Sequence, residues 1–252
     1  MLNNTLRNHI VIGIDDTDNL NSIGTGHLVR DLGVFLLENN IFETRIITRH
    51  QLFVHKDIPF TSHNSSASLT GQLLGNIDDL SHFCEKFLTE NAALGSDVGL
   101  CIINGSIEFK NELVDWGVRA KSIILTEKDA YMLAQNAGIY LKGLTGRKTG
   151  VIGALAAVGL ALSGNDGRVL WMKNLRETKG IFKVQDIREI IGIDVFMTEN
   201  KFILNDNDEV ELDNWNRPVI INNQTVLYVE PNNLRPHEYK TAPKHFIKSV
   251  SE

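Results

Sequence analysis

The apolar positions of the chain change period several times, and each change marks an element. His9 to Ile14 is a nearly unbroken apolar run that stops at Asp15-Asp16, the pattern of a buried strand delivering acidic side chains at its carboxyl end. Asp18 to Thr25, with Asn19, Asn21, Ser22 and Gly24, has loop composition; from Gly26 onward Leu28, Leu32, Phe35 and Leu36 recur at helical spacing. Phe42 to Val54 predicts a strand, His55 to Ser66 a loop broken by Pro59, and Ala67 to Leu74 a further strand. Asp78 to Glu90 places Leu80, Phe83, Cys84, Phe87 and Leu88 on one helical face, and Asp97 to Ile103 follows as a compact apolar strand. Thr126 offers an N-cap, with acidic residues in the first turn, to a helix that Gly138 stops.

The stretch from Gly143 to Gly164 is glycine-punctuated and then alanine-rich. It predicts a tightly packed helix with Ile152, Leu155, Ala156 and Gly159 on one face, entered through the basic loop Gly146-Arg147-Lys148-Thr149-Gly150. Beyond Ile181 the pattern predicts a short helix from Gln185 to Ile191. Strands follow at Asp194 to Thr198, Lys201 to Leu204, Val219 to Ile221 and Thr225 to Val229, with Asn222-Asn223 as a hairpin turn. Pro231, Pro236 and Pro243 predict an extended C-terminal tail. Alternation of strands and helices gives an α+β (mixed α/β) class, with a first domain at 1–175 and a strand-rich region with its tail at 176–252.

Composition narrows this picture. The 252 residues, 42% hydrophobic and 22% charged, suffice for one large or two modest domains whose core needs no disulfide or metal. Cys84 and Cys101 lie in apolar stretches without metal-ligand spacing, as buried reduced thiols of a cytoplasmic protein do. The chain has no apolar run long enough to span a membrane and no apolar leader segment, which also fits a cytoplasmic location. A net charge of −6 argues against a surface built to hold a nucleic-acid backbone.

The candidate chemistry sits in three loops. Asp15, Asp16 and Asp18 bring three mutually repelling carboxylates together; a divalent cation would offset that repulsion, and so would a loop in which one caps the turn and the others are solvated. Gly24-Thr25-Gly26, at the entry to a helix, suits either a bound phosphate or an ordinary N-cap. Arg147 and Lys148, beside Gly146, Gly150 and Gly153 and before a helix, suit the β- and γ-phosphates of a nucleotide, or form a solvated connection. Arg49, Lys56, His63 and Asn64 make a further polar cluster, in which His55 and His63 read as exposed loop residues.

The segment Ile12-Gly13-Ile14-Asp15-Asp16-Thr17-Asp18 with Thr25 beyond it resembles the N-terminal motif of the archaeal isoleucine-tRNA 2-agmatinylcytidine synthetase family. Gly150-Val151-Ile152-Gly153-Ala154-Leu155-Ala156-Ala157-Val158-Gly159 is similar to that family's second motif, and Pro59 with Asn64 to Leu69 loosely follows its proline-then-asparagine loop. The resemblance spans roughly the first 165 residues. It implies a kinase-like catalytic core with an associated ferredoxin-like domain, here at about 66–140, that uses ATP and Mg²⁺. Carried onto this chain, Asp15, Asp16 and Asp18 ligate the metal, and Asp16, Asp18 and Thr25 act in catalysis. Thr17, Gly24, Gly26, Asn64, Arg147, Lys148, Gly150 and Gly153 hold the nucleotide. Gly24 and Gly26-His27 flank Thr25 where the family has cysteine before and threonine-tyrosine after. The family's OB-fold and zinc ribbon are not expected in full, so agmatine transfer is not carried over.

The expectation is therefore a Mg²⁺- and ATP-dependent phosphotransferase or ligase-like enzyme acting on a small-molecule or nucleotide-like acceptor. The alternatives are a non-catalytic nucleotide-binding regulatory module and a tRNA-modification accessory that needs a partner. The acidic balance argues against autonomous tRNA binding, no membrane association is expected, and oligomeric state, including a homodimer, stays open.

Overall fold

The structure, a computed structural model, describes residues 9–58, 64–104, 109–232 and 237–251. Two compact units divide between Ser163 and Gly164. The first contains β1 (His9–Asp15), α1 (Thr25–Glu38), β2 (Phe42–Gln51), β3 (Ser65–Leu73), α2 (Ile77–Asn91) and β4 (Gly99–Asn104). It continues with α3 (Lys110–Arg119), α4 (Glu127–Ala137), β5 (Tyr140–Gly143) and α5 (Val151–Ser163). The strand order is β5-β4-β1-β3-β2, antiparallel throughout. With helices interleaved among antiparallel strands, the class is mixed α/β, α+β in kind.

Helices cover both faces of this sheet. Helices α1 and α2 pack on one side, while α5 lies across β1, β3 and β4 on the other with α3 and α4 behind it. Helix α5 is buried along most of its length because it is apolar all round, as a central helix must be. Its approach to β1 depends on Gly13: a Cβ there would lie 2.1 Å from the Ala154 carbonyl oxygen. Val11, Cys101, Ile103, Leu113, Trp116 and the inner face of α5 form one apolar cluster. Cys84 and Cys101 are fully buried, and burial pushes both thiols up, so they pack as small apolar groups.

The elements of the first unit depart from the sequence expectation in places. Segment 66–140 contributes β3 and β4 to the sheet through their hydrogen bonds to β1. The strand expected to reach Val54 ends at Gln51. Helix α3 and strand β5 carried no periodic signal strong enough to predict them.

The second unit contains β6 (Arg168–Met172), β7 (Gly180–Lys183), α6 (Val184–Ile191), β8 (Val195–Thr198), β9 (Glu209–Leu212), β10 (Val219–Ile221), β11 (Gln224–Pro231), β12 (Glu238–Thr241) and α7 (Lys244–Ser251). Strands run in the order β6-β10-β11-β12-β9-β7, with β8 parallel to β11. Asn222 and Asn223, at φ +51° and +59°, close the β10–β11 hairpin at the expected turn. The division falls at 163/164 rather than 175 because β6 pairs with β10 and the Asn223 N–H donates to the Gly164 carbonyl at 2.8 Å. Lys201 to Leu204 makes only an isolated bridge, Met197 to Ile203. The expected extended tail ends in α7: the Pro243 carbonyl accepts the Ile247 N–H at 3.1 Å, so this proline opens a helix instead of ending structure.

Candidate nucleotide site at one sheet edge

The antiparallel pairing delivers four loops to one edge of the first sheet. Strands β1 and β2 end there, and β3 and β4 begin there. The loop residues 15–24, 52–58 with 64, 92–98 and 144–150 are therefore neighbours although they are far apart in sequence. The first and third are tied directly: the Ala93 N–H donates to the Thr17 carbonyl at 2.9 Å and the Asn19 side-chain amide to the Leu94 carbonyl at 3.1 Å.

The three aspartates share this edge but take three directions. Asp15 continues the β1 face that Gly13 presents to α5, and its carboxylate lies against Gly153 in the first turn of that helix. A Cβ on Gly153 would sit 1.8 Å from Asp15 Oδ2, so the glycine is the space the carboxylate occupies. Burial, then the Asp16 and Asp18 charges, push the Asp15 carboxyl well above the ordinary aspartate range. Asp16 takes a left-handed conformation, φ +54°. Burial and the nearby Asp97 and Asp18 carboxylates raise its carboxyl, opposed by the Asp97 backbone N–H and by Arg147. Asp18 accepts from the Thr25 hydroxyl at 3.2 Å. Among the described residues, no group of three His, Cys, Asp or Glu side chains forms a ready-made metal cage. Asp15 closes β1, Asp16 turns out of it through its left-handed backbone and Asp18 lies in the loop beyond, so the three carboxylates reach this edge from different backbone conformations.

Thr17, Thr25 and Asp18 form a relay. The buried Thr17 Oγ1 donates to Thr25 Oγ1 at 3.0 Å, and Thr25 donates onward to Asp18. Thr25 opens α1; its N-cap is Gly24, in extended backbone, and no side chain caps the helix. No side chain caps the first-turn amides of α1, which include Gly26, although the His27 N–H donates to the Gly24 carbonyl at 2.8 Å. A hydroxyl donating to a carboxylate at a helix N-terminus is arranged for proton transfer from oxygen next to a bound anion.

Asp97, absent from the sequence-derived set, organises the basic loop. It is 6% exposed and accepts from the Arg147 backbone N–H, from Arg147 Nε at 3.1 Å and from Thr149 Oγ1 at 3.2 Å; its own carbonyl accepts the Gly150 N–H at 2.9 Å. Arg147 is thus bound through Nε while its side chain stays largely in solvent, and Lys148, at φ +70°, forms the turn itself. The only sequence signal for Asp97 was a carboxylate directly before an apolar strand.

Asn64 lies at the same edge with a structural task. Its amide donates to the Phe53 carbonyl at 2.6 Å and its carbonyl accepts the Leu52 N–H at 2.9 Å, closing the loop after β2. Pro59 and His63 fall outside the described residues. His55 stacks on Phe53, with ring centroids 5.4 Å apart. A second feature missed from sequence is a buried polar row on the α5 face. Thr48 and His50 of β2 and Ser66 and Ser68 of β3 pair across the strands, and His50 Nε2 lies 2.8 Å from Ser68 Oγ.

The geometry defines a class first: a mixed α/β core whose acidic, hydroxyl-bearing and basic loops meet at one sheet edge. Solved structures share that fold. Crystal structures of TiaS, a tRNA agmatidine synthetase, align with 60% of this chain. The complex of TiaS with its tRNA and ATP gives a TM-score of 0.53 at 22% identity, and the apo enzyme 0.52 at 21%. A tRNA fluorescent labelling enzyme aligns equally well, at 0.53 and 22%. The likeness is one of fold, and it is the fold that the aspartate and glycine-alanine motifs led us to expect. The chain covers 36%, 36% and 35% of these three structures. No family model matches the chain, and no curated protein does. Among the described residues no helix is long and apolar enough to cross a membrane.

Proposed function

We propose that the chain is an ATP-using enzyme that activates a small-molecule or nucleotide-like acceptor by phosphoryl transfer with Mg²⁺. The observation that carries this reading is the Thr17–Thr25–Asp18 relay at the uncapped start of α1, beside Asp15 and Asp16. Support comes from the shared fold, since a TiaS structure was solved with ATP. The first-turn amides of α1 receive phosphate oxygens, with the helix dipole behind them. Mg²⁺ commonly takes only one or two protein carboxylates and completes its shell with phosphates and water, so a missing three-carboxylate cage does not conflict with it. The crowded, partly buried Asp15 and Asp16, whose carboxyls are raised by burial and by one another, fit a cation that would favour their charged forms. When bound, the ion offsets charge on the transferring phosphoryl group.

The chain's own residues divide the work. Asp18 holds the Thr25 hydroxyl in place at the start of α1. Asp97 sets the loop from which the exposed Arg147 guanidinium and Lys148 reach phosphate oxygens, and Gly153 leaves room for Asp15. In this reading Asn64 supports the loop and does not contact the nucleotide.

The decisive measurement is Mg²⁺-dependent ATP binding by calorimetry, followed by turnover with a panel of small-molecule and nucleoside acceptors. Asp16→Asn is expected to lower turnover by roughly a hundredfold or more, the usual order for removing one group that stabilises developing charge. Wild-type protein that binds no ATP, or an Asp16→Asn variant with unchanged binding and turnover, would overturn the proposal. ATP binding without turnover on any acceptor would favour the regulatory module.

A further inference from the structure

One rung of the first sheet carries three polar side chains on the face that packs against α5. Gly13 of β1 stands opposite Ser68 of β3, and Gly13 faces α5, where a Cβ would meet the Ala154 carbonyl. Side chains of a strand return to the same face every second residue, so Asp15, two positions beyond Gly13, and Ser66, two before Ser68, share that face. The β1–β3 ladder ends at Ile14 opposite Ala67, and its next step brings Asp15 level with Ser66. Ser66 in turn stands opposite His50 of β2. A carboxylate, a hydroxyl and an imidazole thus lie side by side across three strands, with neighbouring Cβ atoms about 5 Å apart.

The middle member of the rung has no partner. Ser66 is 1% exposed, and its Oγ makes no hydrogen bond. On one side of it the fully buried His50 places Nε2 2.8 Å from Ser68 Oγ, so that nitrogen is directed along the strand and not at Ser66. On the other side Asp15 Oδ2 lies against Gly153 in the first turn of α5. A buried hydroxyl without a partner costs free energy, and an alanine would fill the same place without that cost. Packing therefore gives no reason for a serine here. Its position gives one, because Ser66 is the second residue of β3, one step inside the edge where the acidic and basic loops meet.

We propose that Ser66 is a positioning residue for Asp15: with the cation and nucleotide bound, its hydroxyl donates to the Asp15 carboxylate, holds it in its charged form and keeps one oxygen turned toward the ion. A change of serine rotamer brings a hydroxyl toward a neighbour on the same rung. Carboxylates that ligate metal ions are themselves held by hydrogen bonds from the surrounding protein. A neutral donor on the buried side supports the carboxylate charge without repelling the cation. His50 leaves the hydroxyl to this task, because its Nε2 is engaged with Ser68. The role rests on the proposed binding of Mg²⁺ and ATP at this edge.

The test is calorimetric titration of the full chain with ATP over a series of Mg²⁺ concentrations, paired with melting temperatures in the presence of a chelator. The Mg²⁺ concentration that gives half of the limiting ATP affinity is expected to rise about tenfold or more in Ser66→Ala, the usual order for removing a group that holds a metal's ligand. The melting temperature without metal is expected to equal that of the wild type or exceed it, because the hydroxyl has no partner to lose. Ser66→Thr, which keeps a hydroxyl at this place on the strand, is expected to restore the wild-type Mg²⁺ dependence. A wild type that binds no ATP with Mg²⁺ would overturn the nucleotide reading and this role with it. ATP binding by the wild type with the same Mg²⁺ dependence in Ser66→Ala would overturn the role of Ser66 alone. So would a Ser66→Thr variant as weak as Ser66→Ala, or a fall in the metal-free melting temperature of Ser66→Ala, which would mark the hydroxyl as part of the packing.

Discussion

Three aspartates within four positions look like one feature in the sequence and are three in the structure. Asp15 belongs to the strand and faces α5, Asp16 turns through a left-handed backbone, and Asp18 reaches the Thr25 hydroxyl. What the sequence made legible was the local density of acid and its place at the end of a strand. It could not reveal Asp97, whose role depends on a loop about fifty residues later folding over it. Asp97 also gives the clearest expectation for a single side chain. Asp97→Ala removes a buried carboxylate from three donors, and bonds to charged groups contribute about 1.5–3 kcal/mol each, discounted here because Arg147 is largely in solvent. The variant should lose roughly 2 kcal/mol of stability in denaturant titration, and protease should cut between Gly146 and Lys148 faster than in the wild type. Gly153→Ala tests the opposite face of the site. Its Cβ would displace the Asp15 carboxylate, so Mg²⁺-ATP affinity should fall at least tenfold while circular dichroism stays the same; unchanged affinity would separate Asp15 from the nucleotide.

Elements with a strong period were read correctly, and each failure has its own physical cause. Helices α1, α2 and α4 bury one stripe each and announce it, and the Asn222-Asn223 hairpin follows from turn chemistry. Strand β5 is four residues long at a sheet edge, where neither period nor composition stands out, and it is held through its neighbours. One of those holds crosses to α2: Glu85 accepts from Lys142 Nζ at 2.6 Å and from the Tyr140 hydroxyl. Burial acts to raise the Glu85 carboxyl, but the hydrogen bonds from Lys142 and Tyr140 outweigh it and hold the group below the ordinary glutamate range. A carboxyl lowered in the folded state contributes stability above its unfolded pKa, and that contribution is lost as the pH falls through the folded value. Glu85→Gln should therefore be less stable than the wild type at pH 7, with the two melting temperatures converging below about pH 4. A constant difference across that range would show that the contact acts by packing alone. Helix α7 was hidden for another reason, because Pro243 suggests a break where it provides a start. Ile247→Ala, which empties part of the cluster beneath α7, should cost about 3 kcal/mol.

Across the whole chain, the division at Ser163 and Gly164 separates two chemistries that net charge had blurred. A value of −6 is a sum, and it argued only against a surface built to hold a nucleic-acid backbone. It carries no information about where the cations lie, and three of them, Arg168, Arg217 and Lys244, lie over the Trp215 ring in the second unit. Acid, hydroxyl and glycine are concentrated at one edge of the first unit instead. Sequence periodicity could not show either gathering, since each draws on residues brought together only by strand pairing. The two units then make a joint expectation that neither makes alone. Ser66→Ala should raise the Mg²⁺ concentration that ATP binding needs and leave stability unimpaired, while Ile247→Ala should lower stability and leave that concentration unchanged. Substitutions with no shared partners act independently to within about 0.5 kcal/mol, a factor of roughly two in affinity. Combining the two should therefore reproduce each separate loss, unaltered, in its own assay.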